Sequence, residues 1–198
     1  MIAKLAAGIL LVALTAAGAI AQPACRRLVP GRTGLVYGKN HSFIVQAPAG
    51  WVGALVQRFP VAFHRDGESW ETGDAVMYVN TITASSGPAD TPEKVLRDDS
   101  VRFAQTVNHL TVKRLEDLVT ADGRRVLVRT FKGDAPANVE AVAYVREKTV
   151  APIIVLTART EAEYSRALPD FIALVKSYEY ITSDLPSDGG PPCRVKRP

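Results

Sequence analysis

The run Arg124-Arg125-Val126-Leu127-Val128-Arg129-Thr130-Phe131, then Val139-Glu140-Ala141-Val142-Ala143-Tyr144-Val145-Arg146, then Pro152-Ile153-Ile154-Val155-Leu156-Thr157-Ala158 decides the fold class. Each segment is strand-length and rich in β-branched and aromatic residues. Turn chemistry bounds them: Asp122-Gly123, Gly133-Asp134-Ala135-Pro136 and Glu147-Lys148. Connections this short force neighbouring strands to run antiparallel. The third segment is apolar on both faces, which predicts a strand in the middle of a sheet, covered above and below.

Working outward, strands are predicted at His41–Ala47, Pro60–Arg65, Ala75–Thr83 and Thr111–Val119. Phe43, Val45 and Ala47 share one face of the first, and Pro48-Ala49-Gly50 ends it. Trp51 is expected to fold back as a plug over one end of the core. A helix follows Asp90-Thr91-Pro92, with cap, first-turn proline and Glu93 in order. Leu96, Phe103, Val107 and Leu110 form its apolar stripe, and Arg97, Asp98, Arg102 and Gln105 face out. A second helix opens on the capping box Thr160–Glu163 and carries Tyr164, Leu168, Phe171, Val175 and Tyr178 on one side. Pro169 inside it predicts a kink or a restart. The order of elements reads as an α+β domain: a single antiparallel sheet with two amphipathic helices packed on it.

The ends read differently. Met1–Ala21 holds one charge, Lys4, an apolar run over 5–20, and the small residues Ala19 and Ala21 that a signal peptidase accepts. A signal peptide over 1–21 is the expectation, with a retained membrane anchor as the alternative. Residues 22–39, rich in Pro and Gly, read as a lead-in, 40–181 as the domain, and 182–198 as an extended tail. Without Lys4, 23 basic side chains face 20 acidic ones, a net +3. That excess, with no long basic run or aromatic-basic interleaving, argues against nucleic acid. The basic residues Arg26, Arg27, Arg32, Arg194, Lys196 and Arg197 gather at the two ends, as solvated tails or as a weak contact to an anionic surface. Cys25 and Cys193 are the only cysteines. In an exported chain they are expected to form a disulfide joining the termini; lipidation of Cys25 is a second reading.

Phe43-x-Val45-x-x-Pro48-x-Gly50-Trp51, followed by Phe63, Trp70, the segment 76–79, Leu168-Pro169-Asp170-Phe171 and Ser177-Tyr178, resembles a group of exported bacterial proteins of unassigned function. Their fold is the PsbP-like α/β/α sandwich, which also occurs in an extrinsic photosystem subunit and a nuclear-transport cofactor. The resemblance covers about residues 40–180. It implies that architecture and a non-enzymatic accessory role, and it brings no catalytic residue.

The residues themselves show little catalytic patterning. His41, His64 and His109 lack zinc-ligand spacing. His64-Arg65-Asp66 with Ser69 suggests a triad, yet neighbours along one strand alternate faces. Asp98-Asp99 and Glu116-Asp117 read as solvated carboxylates. No nucleotide-binding glycine loop occurs, and no cofactor or metal is expected. The candidate binding residues are Trp51, His64, Arg65 and Trp70, an aromatic and cationic rim on the 63–70 hairpin. The expectation is therefore a periplasmic or secreted, non-enzymatic protein that meets a protein partner or the envelope surface. The alternatives are a hydrolase built on His64 or His109, and a lipid or small-ligand binder with an apolar cavity between sheet and helix.

Overall fold

The structure, a computed structural model, describes residues 32–38, 41–83, 89–134 and 139–182. The expected signal peptide over 1–21 and the expected disulfide between Cys25 and Cys193 lie outside the described residues, as does the tail beyond 182. The elements are β1 (Thr33–Gly38), β2 (His41–Gln46), β3 (Trp51–Ala54), β4 (Val61–Arg65), β5 (Ala75–Thr83), α1 (Pro92–Thr106), β6 (Thr111–Arg114), β7 (Leu118–Val119), β8 (Arg125–Lys132), β9 (Val139–Val145), β10 (Val150–Ala158), α2 (Glu161–Lys176) and β11 (Glu179–Thr182).

The meander of β8, β9 and β10 is present and antiparallel. Strand β10 lies between β5 and β9, and residues 150–156 are buried without a break. The expected single sheet is corrected to two. An eight-stranded sheet runs β3-β4-β5-β10-β9-β8-β6, with β7 beside β8; a three-stranded sheet runs β1-β2-β11. The division follows from the turn after β2. Gly50 has φ +81°, where only glycine sits without strain, so the chain leaves β2 and starts β3 in the other sheet. Part of the expected lead-in is also ordered, since β1 pairs with β2 along its whole length. Gly34 lets β1 cross close to β4, because a side chain there would collide with Val61.

Between the two sheets lies α2. Thr160 Oγ1 accepts a hydrogen bond from the Glu163 N–H at 3.2 Å, the expected cap. Phe171, Leu174, Val175 and the following Tyr178 are fully buried. They meet Phe43 and Val45 from the small sheet and Trp51, Phe63, Met77 and Leu156 from the large one. The helix is continuous through Pro169. Proline removes the bond to the Ser165 carbonyl, but both residues are exposed, so water can satisfy that oxygen.

On the other side of the large sheet, α1 packs on β8 and β9. Thr91 caps it with Pro92 in the first turn, as expected. Its predicted stripe is corrected at the end: the helix stops at Thr106, and Val107 is extended. The buried residues of α1 are Pro92, Val95 and Asp99. Among the described residues no helix is long and apolar enough to cross a membrane.

Candidate functional site

Strand register places the four candidate residues. Trp51 lies opposite Arg65, and Val52 opposite His64. Successive side chains alternate faces, so Trp51 and Arg65 share the α2 side while His64 points to the α1 side. Trp51 belongs to a regular strand rather than a separate plug, and is 1% exposed. Its indole N–H donates to Asp170 Oδ2 at 2.9 Å, and the Arg65 guanidinium stacks 5.1 Å from its ring. His64 Nδ1–H donates to the Arg65 carbonyl at 2.8 Å. Ser69 Oγ instead pairs with Thr72 Oγ1 at 2.9 Å, so the 64–69 residues form no triad.

Trp70 joins a different group, on the α1 side. Its ring lies 5.6 Å from Phe59 and 6.2 Å from Tyr78, while Phe59 stacks on Tyr78 at 3.9 Å. Arg58 sits 6.0 Å from the Phe59 ring, and Leu55 nearby in the chain is fully exposed. Phe59 and Trp70, from the loops on either side of β4, and Tyr78 on β5 form an aromatic ledge, at the opposite end of the strand order from β8 and β6. The neighbouring Glu140 accepts a hydrogen bond from Thr157 at 2.9 Å. Burial raises the Glu140 carboxyl above the ordinary glutamate range, against that bond. Burial also raises the Tyr78 hydroxyl, which stays neutral.

Two open clefts flank β6. One, of about 630 Å³, lies between β6, β8 and α2. His109 Nδ1 and Asp134 Oδ2 pair at its rim, both exposed. The hydrogen bond that the imidazole donates to this carboxylate, and then the carboxylate's charge, raise the imidazole above its usual value. Thr130 and Tyr164 share a 2.6 Å hydrogen bond in the same cleft. The other cleft, of about 650 Å³, is lined by Arg114, Arg124, Arg125, Arg129 and Arg146, with Glu93 and Asp117. Asp117 was expected on a solvated face; instead its side chain is 10% exposed, because three guanidiniums close around it. Asp99 likewise turns inward, accepting from the Tyr144 hydroxyl at 2.9 Å and pairing with Arg102. His41 is buried in β2, while His109 stands at the surface.

The ledge residues Phe59 and Tyr78 were not singled out by sequence. Their signal was present: aromatic residues flank the 63–70 hairpin on both sides. The arginine cleft also left a trace. Arg125, Leu127 and Arg129 alternate with buried Val126 and Val128, which puts both arginines on one face.

No family model and no curated protein matches the chain by sequence. Solved structures do match in fold. The chain is similar to the cyanobacterial PsbP protein CyanoP of Synechocystis sp. PCC 6803, with TM-score 0.50 and 14% identity over 80% of this chain and 98% of that one. It is also similar to LpqN of Mycobacterium tuberculosis, described as involved in cell envelope biogenesis, with TM-score 0.48 and 11% identity over 75% of this chain and 90% of that one. At such identities the likeness speaks for architecture alone. The fold is PsbP-like, as the sequence resemblance implied. Within that class the chain is an α+β protein of two antiparallel sheets with a helix on each side of the larger one.

Proposed function

We propose that the chain is a non-enzymatic, extracytoplasmic binding protein that meets a protein partner of the cell envelope through the aromatic ledge. The observation that carries this reading is the aromatic trio of Phe59, Trp70 and Tyr78, with Arg58 over the Phe59 ring. Aromatic residues and arginine dominate the energetics of protein interfaces. A half-buried aromatic group with an arginine at its edge has the composition of an anchor with a cationic rim. The apolar run over 5–20 with Ala19 and Ala21, the pattern of a signal peptide, supports the compartment.

The full chain, captured from an envelope extract, is expected to retain a defined partner that Trp70→Ala with Phe59→Ala loses. Both forms should unfold cooperatively, so that loss reports contact. Equal recovery of every partner by the two forms would dismiss the ledge.

A second reading, a hydrolase, draws on one observation: His109 lies in a cleft beside Asp134. The pair is solvent-exposed, and its imidazole is biased toward the protonated form, which is a poor general base. The cleft's hydroxyls, Thr130 and Tyr164, bond each other. Turnover of ester or peptide substrates that His109→Ala abolishes would favour this reading over the first. A lipid binder finds less support, since the space between the large sheet and α2 is filled by Phe171, Leu174 and Tyr178.

A further inference from the structure

The cleft beside α1 concentrates positive charge by strand pairing. Arg114 and Arg129 are direct cross-strand partners on β6 and β8. Arg125, four residues before Arg129, points to the same face. Like charges directly opposite one another weaken a sheet, so this arrangement requires compensation. Asp117 supplies only part of it. Its Oδ2 accepts from Arg114 Nη2 at 2.9 Å and Arg125 Nη2 at 3.0 Å. Its Oδ1 stands 4.0 Å from Arg129 Nη1 and is buried without a hydrogen-bond partner. Arg129 itself is 16% exposed. One carboxylate thus faces three guanidiniums, each with five N–H donors.

The rest of the rim does not restore balance. Arg146 pairs with Glu93 at 2.9 Å across the start of α1. Arg124 is engaged by Asp122 and Glu147, both at 2.8 Å. The two charges in excess belong to Arg114, Arg125 and Arg129. Arg114 and Arg125 keep most of their surface in solvent, so their remaining donors are free to reorient. The cleft, at about 650 Å³, has the capacity of a small-molecule site.

We propose that this cleft binds a phosphate-bearing anion, either a phospholipid headgroup or a soluble phosphate ester. A phosphate carries up to two negative charges, which matches the local excess. Its tetrahedral oxygens accept from several directions, whereas a planar carboxylate would repeat what Asp117 already does. Guanidinium forks bind phosphate in bidentate fashion, with geometry an ammonium group cannot reproduce. Asp117 holds Arg114 and Arg125 on one oxygen and competes with an incoming anion for their donors. The site stands apart from the aromatic ledge, so its fate does not decide the partner proposal.

The test titrates the full chain with pyrophosphate and inorganic phosphate by calorimetry, and separately with phosphatidylcholine vesicles with and without phosphatidylglycerol by co-sedimentation. Salt-sensitive pyrophosphate binding is expected, weakened about tenfold or more in the Arg114→Ala/Arg125→Ala variant and unchanged in Arg166→Ala on α2. Asp117→Asn removes the competing anion while keeping an acceptor oxygen. It should tighten pyrophosphate several-fold, a gain that no misfolded chain can imitate. Binding to phosphatidylglycerol vesicles alone, lost in the double variant, assigns the headgroup; binding to pyrophosphate alone assigns a soluble ester. No binding to any of these probes, equal binding by the double variant, or preference for a polyglutamate peptide would overturn the proposal.

Discussion

The two faces of the eight-stranded sheet are built on different rules. Toward α2, side chains such as Phe63, Met77, Val126, Val128 and Leu156 meet a helix that has the small sheet behind it, and they form one large apolar cluster. Toward α1, polar groups are buried among the apolar ones. Asp99 takes the Tyr144 hydroxyl, and Glu140 takes Thr157. A polar cleft opens beside α1 on that face, and the aromatic ledge lies at its other end. Helix α2 closes the centre of its side and leaves only the His109 cleft beside β6; α1 covers the middle of the other side and leaves both the arginine cleft and the aromatic ledge. The larger apolar cluster thus lies on the α2 side of the sheet, and the proposed contact surfaces lie on the α1 side.

The strongest challenge to this division is a pair of phenylalanine truncations. Phe171→Ala, in the larger cluster, is expected to cost about 4 kcal/mol by urea unfolding. Phe103→Ala, half-buried under α1 against Phe131, should cost about 2 kcal/mol. Equal losses would mean that both faces bear the same load. A smaller effect tests the buried polar groups. Tyr144→Phe leaves Asp99 Oδ2 without its donor and should lose about 1–3 kcal/mol, despite removing only one oxygen. A neutral result would show that water reaches Asp99.

The finest distinction lies in pH. The folded chain holds the Glu140 proton more tightly than the unfolded chain does, because burial disfavours the carboxylate. Its contribution is therefore present below the ordinary glutamate range and is lost as pH rises through the elevated folded value. Urea midpoints from about pH 4 to about pH 8 should fall less steeply for Glu140→Gln than for the parent chain. Glu147, raised likewise by burial, leaves a residual slope in the variant. Identical profiles would place Glu140 in contact with water.

Much of the architecture was legible because it is local. Uninterrupted β-branched runs marked β8, β9 and β10, and Thr91 and Thr160 marked both helix starts. What escaped notice depended on distance. Strand β11 pairs with β2 from the far end of the domain, and no local pattern reports such a partner. Strand β1 hid among glycines, and β3 behind Gly53-Ala54, residues of low strand propensity. Asp99 read as solvated because an acid in a helix normally is; the Tyr144 hydroxyl and the Arg102 guanidinium together make its burial tolerable. Of the four candidate binding residues, the chain brings Trp51 to Arg65 but turns His64 and Trp70 to the opposite face. The arginines at 114, 125, 129 and 146 come from three strand regions and converge only through register.

The small sheet has β2 at its centre, flanked by the first and last strands described. During synthesis β2 leaves the ribosome long before β11 does, so its outer ladder waits open while the rest of the domain condenses. The joint between β2 and β11 is then the final seam to close. It is also where crowded, refolding copies would trade a terminal strand and emerge as an interlocked dimer.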